Sequence, residues 1–570
     1  VTLLAVLGLT ALIYTLTTAM ITFHSYSIPL YTTTVWALSP GDNTLTLSIR
    51  LGNSTFLGWG GALFTFANTP YFDEPFVDRV KDSMRVQLNF LSNNLTAVGN
   101  WRIAQADTLI AAGIRFPELE GTKQWLQKGV EVINDAVREQ FLPDGTHIER
   151  TPGYHFWMTK VLQSFWALGQ ARPELGLDVP TSLVENAFQY ALASIRPNGE
   201  TNRLHDSPCL FNVEELENEY RRFLSAAGLE NERESRRFFP DAGQALLRDS
   251  NAKDATYVTY DATPYSQGHW HLSCNAIQVD VGGRPIIVDP GILDYERTNP
   301  MMAYGKSTRA HNTANLNGWN QAPVSHVPAI HKGGEEYDFV QACYSGGYWP
   351  STYHWSYVDG CSGGVWAQHD RSMLWLHNHY ILVADTITHR LLNEATPSIE
   401  LNWQFERGDL RLDTANFEVT TCNEDANLLL RILHKPENTI LEIHEGEENP
   451  FRGWTACSDK LGPAPQVSVT CPNRPEFVNR IVTMLIPFTG KTPVNFQKTT
   501  IPNSDGRAFK IEHDNGIDYV FLAPENFHCR VDGIHFFGTV GIVRHTTGEP
   551  KLLLPRPGLL EVNGGKLEQS

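Results

Sequence analysis

The chain has 570 residues, 42% of them hydrophobic, and a formal net charge of −18 at neutral pH. A chain of this size and apolar content folds around buried cores and divides into about two to four domains. Its acidic balance argues against nucleic acid or an anionic membrane surface as a general partner and leaves room only for a local basic cleft. Cys209, Cys274, Cys343, Cys361, Cys422, Cys457, Cys471 and Cys529 form no C-x-x-C pair, which disfavours cysteine-built zinc sites and thioredoxin chemistry and leaves disulfides open.

Residues 1–41 carry no Asp, Glu, Lys or Arg, and Val1 to Thr22 is long and apolar enough to span a membrane. The segment reads as a signal or anchor remnant, a buried helix, or the start of a truncated chain, and membrane association follows only where that apolar stretch is retained. Leu45, Leu47, Ile49 and Leu51 alternate as in a strand. Sequons at Asn53 and Asn94 fit glycosylation, a pattern short enough to arise by chance. Residues 1–74 are thus set apart as a segment of unassigned structure.

From residue 75 the apolar period becomes helical. Leu126, Val130, Ile133, Val137 and Phe141 recur at spacings of three and four, as do Met158, Val161, Leu162, Phe165 and Leu168, which predicts amphipathic helices with one buried stripe each. Pro143-Asp144-Gly145 between them marks a turn, and further helices are predicted at 75–93, 99–114, 181–196 and 212–226. The polar stretch Asn231 to Arg237 closes this helical domain, 75–235. Beyond it the period is two. Thr256, Val258, Tyr260 and Ile277, Val279, Val281 lead through Gly282-Gly283 into Ile286-Ile287-Val288, a predicted hairpin, and runs such as 373–376, 380–383 and 519–522 extend stacked antiparallel sheets over 236–570.

Within that second part, G-H-W-H (268–271), V-D-P-G (288–291) and R-A-H-N-T (309–313) bring His269, His271, Asp289 and His311 into a short stretch. Imidazoles titrate near neutrality and ligate metals, so this cluster is the candidate seat of chemistry. His269 and His271 are two apart and would face the same side of a regular strand, so either Gly268 and Trp270 bend the chain or two functions lie side by side. Structural alternatives stand beside each reading. Tyr154 can be an aromatic packed at a helix start, Asn100 a helix N-cap, Glu149 a brace for its neighbours, His369 a solvated or hydrogen-bonded surface group, and Glu445–Glu448 an exposed loop.

Taken in order, G-N-W-R-I-A-Q-A (99–106), P-D-G-T-H-I-E-R-T-P-G-Y-H (143–155), F-P-D-A-G (239–243), G-H-W-H, R-P-I-I-V-D-P-G and S-T-R-A-H-N-T resemble the heparinase II/III-like polysaccharide lyases, over roughly residues 75–400. The resemblance implies a multidomain α+β fold, an N-terminal (α/α) toroid followed by an antiparallel β-sandwich. Six helices leave the toroid incomplete unless residues 1–74 contribute. It implies β-elimination at a uronic acid, which needs a neutralised carboxylate, a base and a proton for the leaving oxygen. Tyr154 matches the family base/acid, with Arg150, His155, His269 or Arg309 as cationic neighbours to make the phenol usable. Asn100 matches the carboxylate-binding position, and His269 a second proton-transfer or neutralising group. His271, Asp289 and His311 match a zinc set of structural type.

Arg102, Glu149, Arg150, His155, Trp270 and Arg309 are the expected substrate contacts. With Arg203, Arg297 and Lys306 they would make a cationic cleft, and Trp101, Trp157 and Trp319 offer further faces for sugar rings. The implied partner is an acidic polysaccharide or oligosaccharide, of glycosaminoglycan or alginate type, cut by a secreted or periplasmic enzyme. Two other readings are a non-catalytic carbohydrate-binding protein of the same fold and a toroid glycoside hydrolase, for which Asp144 and Glu149 lie on one loop rather than opposed.

Overall fold

The computed structural model describes residues 74–208, 213–230, 236–266, 268–296, 298–350, 364–390, 396–457, 460–493, 496–502, 504–546, 549–562 and 565–569. The expected strand at 45–51, the apolar start, Asn53 and Arg297 lie outside them. Among the described residues no helix is long and apolar enough to cross a membrane.

Two compact units divide the chain, the described part of the first being 74–139 with 168–178 and the second taking in 140–167 and everything from 179 onward. In the first, α1 (Glu74–Asn93), α2 (Asn100–Arg115) and most of α3 (Thr122–Gln140) pack around Met84, Leu88, Leu109, Ala112, Phe116 and Trp125. The approach of α2 to α3 depends on missing side chains. A Cβ on Gly113 would stand 2.7 Å from that of Leu126, and one on Gly129 would stand 2.7 Å from Ile110 Cγ1.

The second unit holds α4 (Pro152–Ala171, except its end), α5 (Thr181–Ala193), α6 (Val213–Ala227) and the short α7 (Pro300–Gly305). All six predicted helices are present, each within a few residues of its expected bounds. The predicted turn at 143–145 is an antiparallel bridge between Phe141 and His147. Asp144 secures it, accepting from Thr146 N at 3.0 Å and reaching Asp241 N and Ala242 N at 2.9 and 3.0 Å.

Strands β1 (Arg236–Phe239), β2 (Gln244–Arg248), β3 (Tyr257–Asp261), β4 (Ala276–Val281) and β5 (Arg284–Ile287) form an antiparallel meander. Gly282 and Gly283 turn β4 into β5 at φ 57° and 75°, the paired left-handed geometry that a two-residue hairpin requires. Beyond the meander an eight-stranded sheet runs in the order 410–413, 418–421, 426–434, 478–489, 380–389, 367–376, 337–344, 329–333. Its central strands are buried on both faces. In strand 367–376, Met373 and Trp375 enter one core, shared with the meander and with the four-stranded sheet 440–444, 466–471, 399–404, 314–316. Leu374 and Leu376 enter a second core under the C-terminal seven-stranded sheet. Apolar side chains pointing both ways explain why runs such as Met373-Leu374-Trp375-Leu376 are continuously hydrophobic rather than alternating.

Two expectations are corrected. His369 is fully buried, its Nε2 2.6 Å from Asp385 Oδ1. Glu447 and Glu448 pair with Phe451 and Arg452 in a small ribbon instead of looping freely, and the Glu447 carboxylate takes His444 Nδ1 at 2.9 Å. Cys274, Cys343, Cys422, Cys471 and Cys529 are free thiols.

Arg371 lies beside His369 in this interior, donating to Asp385 Oδ1 and to the carbonyls of Asn275 and Asn312, all at 2.6 Å. Arg371→Met would leave a buried carboxylate and two carbonyls without their cation. We expect a loss of about 3–5 kcal/mol in stability, read as a lowered urea midpoint by near-ultraviolet circular dichroism.

Candidate active site and metal centre

Residues 268–272 are irregular backbone between β3 and β4, opened by Gly268 at φ 72°. His269 and His271 do face one side, and a single carboxylate receives both. Asp206 Oδ1 lies 2.8 Å from His271 Nε2, and Oδ2 lies 3.0 Å from His269 Nδ1 and 2.6 Å from Lys306 Nζ. The Asp206 segment is held by its own backbone, with Asp206 N donating to His269 O at 3.2 Å and His271 N donating to His205 Nδ1 at 3.3 Å. Burial alone would raise the Asp206 carboxyl, but Lys306 and the two imidazole hydrogen bonds more than reverse this and hold it far below the usual carboxylate range.

Tyr154 comes to the same place from the first turn of α4. Gly153 makes this possible, since a Cβ there would stand 2.4 Å from Pro208 Cδ, and its N–H donates to Ser207 Oγ at 2.9 Å. The Tyr154 ring stacks on His269, centroids 3.8 Å apart and planes 16° from parallel. Its hydroxyl lies 3.2 Å from that of Tyr295, which is 45% exposed. Burial pushes the Tyr154 phenol up to about 12, the hydrogen bond with Tyr295 works downward, and the charges of Asp206 and Glu149 add to the rise. The expected cationic help is thus corrected to anionic surroundings: the phenol keeps its proton at neutral pH.

His271, Asp289 and His311 place one ligand atom each within 4.8 Å of one another, all three buried. Hydrogen bonding selects the atoms. His271 Nε2 is engaged by Asp206 and His311 Nδ1 by Ser307 O at 2.7 Å, so each ring carries its hydrogen on that side. The remaining nitrogens, His271 Nδ1 and His311 Nε2, face each other at 3.1 Å, and Asp289 Oδ2 lies 3.6 Å from His311 Nε2. Two lone pairs and a carboxylate oxygen converging in the interior are a fit for a divalent cation. Burial drives His271 well below its usual range and His311 down to about 3, keeping both neutral, as metal ligands must be.

The other expected contacts are placed less openly. His155 is fully buried, accepting from His147 N at 3.1 Å through Nδ1 and meeting Ala187 O at 2.8 Å through Nε2, which makes it part of the scaffold under α4. Arg150 turns to Asp241 O at 3.2 Å. Arg309 pairs with Glu400 at 3.2 Å, Arg203 with Glu406 at 2.9 Å and Lys306 with Asp206. The expected cationic cleft is therefore largely neutralised by its own carboxylates. Glu149 and Trp270 are buried, and Trp270 packs edge-to-face with the exposed Tyr265 at 5.2 Å. In the other unit, Asn100 is the buried first residue of α2, with Gly99 in the cap position, so the N-cap alternative falls. Arg102 pairs with Glu139 at 2.9 Å. Asp206 and Tyr295 were missed. Their only signals are the dipeptide His205-Asp206 outside every quoted motif and a Tyr shortly after V-D-P-G.

The sequence matches the family model "Heparinase II/III N-terminus" over residues 42–230 and "Heparinase II/III-like, C-terminal" over residues 231–503. Among curated proteins it is 24% identical to a heparin-sulfate lyase of Pedobacter heparinus over 404 residues, covering 67% of this chain and 58% of that protein. It is 22% identical to a heparin-sulfate lyase of Bacteroides stercoris, covering 67% and 57%. The chain thus spans less than two thirds of the length of these relatives. The crystal structure of heparan sulfate lyase HepC from Pedobacter heparinus aligns at a TM-score of 0.64 and 20% identity over 83% of this chain and 74% of that one. A crystal structure of heparinase III aligns at 0.68 and 15% over 91% and 77%. These likenesses show the fold, a helical toroid followed by a β-sandwich, and with the two models matched end to end the chain belongs to the heparinase II/III-like family.

Proposed function

We propose that the protein is a polysaccharide lyase that cleaves a glycosaminoglycan at its uronic acid by β-elimination. The observation that carries this reading is the stack of Tyr154 on His269 above Asp206. Asp206 occupies Nδ1 of His269, leaving Nε2 to take the C5 hydrogen of the uronate. Tyr154, protonated because burial lifts its phenol to about 12, hands its hydrogen to the departing glycosidic oxygen. Rings in contact keep donor and acceptor within reach of adjacent atoms of one sugar. Tyr295, hydrogen-bonded to Tyr154, orients that hydroxyl. Asn100 keeps the role that the resemblance implies, hydrogen bonding to the substrate carboxylate, on the resemblance alone. A hydrolase is less well served, since Asp206 is saturated by three nitrogen donors and is no acid.

The relatives named above are heparin-sulfate lyases, which makes heparan sulfate and heparin the first substrates to try, with alginate as the uronate lacking amino sugars. Cleavage would appear as ultraviolet absorbance of a new conjugated uronate. Absence of signal from every polyuronate with folded protein removes the proposal. Secretion or a periplasmic location fits a polymeric substrate of this kind, and detection of the protein in the culture medium or periplasm tests it.

The ion we assign to His271, Asp289 and His311 is zinc, on two neutral imidazole nitrogens and one carboxylate. With all three ligands buried, its contribution would be to hold the loops that carry His269 and His311. Elemental analysis should find about one zinc per chain. His311→Ala should lose it and lower the thermal midpoint.

Replacing Tyr154 by Phe should cut kcat by about 10²–10⁴-fold, the usual worth of a positioned proton donor, with KM changed by less than about threefold. A variant of near-normal kcat would assign the proton elsewhere.

The pH profile supplies a separate check. A phenol near 12 stays protonated through the working range, so kcat/KM should show no alkaline loss from Tyr154 below about pH 10. A rise in rate with pH that tracks a group near pH 8, abolished in Tyr154→Phe, would instead mean that the phenolate is the base.

A further inference from the structure

We propose that Asp206 is a positioning residue that joins the metal centre to the proton-transferring imidazole, so that occupation of the metal site sets the orientation of His269. For its activity arm the inference rests on the lyase reading. For its metal arm it does not.

The geometry is a chain of rigid groups. His271 turns one nitrogen to the metal position and the other, Nε2, to Asp206 Oδ1 at 2.8 Å. The second carboxylate oxygen takes His269 Nδ1 at 3.0 Å and Lys306 Nζ at 2.6 Å. A carboxylate is planar, so turning it to follow His271 swings Oδ2 away from His269. Asp206 cannot drift to compensate, because it is 1% exposed and its N–H is bound to His269 O at 3.2 Å. Asp206 already fixes which nitrogen of His271 carries the hydrogen, and a cation bound at Nδ1 would fix the plane of that ring. The carboxylate and the His269 ring then follow. Without the cation the hydrogen stays on Nε2, held by Asp206, but the lone pairs of His271 Nδ1 and His311 Nε2 face each other unshielded at 3.1 Å, the His271 ring is no longer anchored on that side, and the link slackens. Coupling of this kind is reciprocal: whatever loosens His269 from Asp206 must also alter the affinity for the metal.

An amide at position 206 separates the two halves. Asn keeps one acceptor oxygen but presents an N–H where the second imidazole and Lys306 need an acceptor, so it can serve one histidine and not both. In full-length Asp206→Asn, zinc affinity measured by competition with a chromophoric chelator should weaken by about 10–100-fold, the usual effect of losing a ligand's hydrogen-bonded carboxylate. At saturating zinc, kcat should remain at least about tenfold down with KM within about twofold. Unchanged zinc affinity, or kcat restored to normal by saturating zinc, overturns the proposal. His269→Gln provides an arm that needs no substrate and stands even where Asp206→Asn fails to fold. It touches no metal-ligand atom, yet it should shift zinc affinity by at least about threefold. Zinc binding indistinguishable from the unaltered protein would show that the two sites are merely neighbours. Should no polyuronate be cleaved while both zinc affinities shift, the lyase reading fails and the coupling stands.

Discussion

A carboxylate buried at 1% exposure survives as an anion only when its surroundings repay its desolvation, and at Asp206 three nitrogen donors do so. Those donors come from distant parts of the chain. Two flank Trp270 and the third follows α7, while Asp206 itself ends an irregular passage after α5. The site can be assembled only when the helical hairpin carrying residues 195–207 and the loops of the meander are docked in one register. The irregular backbone of G-H-W-H offers both imidazoles and the His269 carbonyl to the same residue, Asp206.

The motif R-A-H-N-T is explained on the same terms. His311 is the metal ligand candidate, but its two neighbours build the support. Asn312 Nδ2 donates to Ile277 O and Val288 O, both at 2.9 Å, binding β4 to the segment that carries Asp289. Thr313 Oγ1 donates to Cys274 O at 2.8 Å, fixing the loop that follows His271. Beneath them Arg371, from the doubly buried sheet, donates to Asn275 O and Asn312 O. Three segments that would each supply one ligand are thus tied to one another by side chains that touch no ligand atom.

Much of this was legible in residue order and some was not. Helical and strand periods are properties of a stripe or a face, so the bounds of α1 to α6 and the β4–β5 hairpin could be read from apolar spacing and from Gly282-Gly283. His271, Asp289 and His311 could be picked out because their motifs match the family's metal set and supply two imidazoles and a carboxylate. Burial of individual polar groups was not legible. His369 looked like a surface histidine because nothing local shows that Asp385, on the neighbouring strand, would sit opposite it. The arginines near the motifs suggested a cationic cleft because sequence does not reveal that Glu400, Glu406 and the Asp241 carbonyl take them up. Asp206 was invisible for the same reason: its partners are fixed by tertiary contact alone.

Exposure divides the labour within this cluster. His271, Asp289 and His311 are at most 1% exposed, whereas the His269 side chain is 18% exposed and Tyr295 45%. Whatever meets the protein here meets the stacked Tyr154–His269 pair and Tyr295 first, and the convergent ligand set lies behind them. The hydrogen bond between His269 Nδ1 and Asp206 Oδ2, at 3.0 Å, joins the partly exposed ring to the buried carboxylate. The outer pair is thus open to solvent and the inner three are closed from it, and the Asp206 carboxylate, bound to His269 on one side and His271 on the other, is their shared boundary.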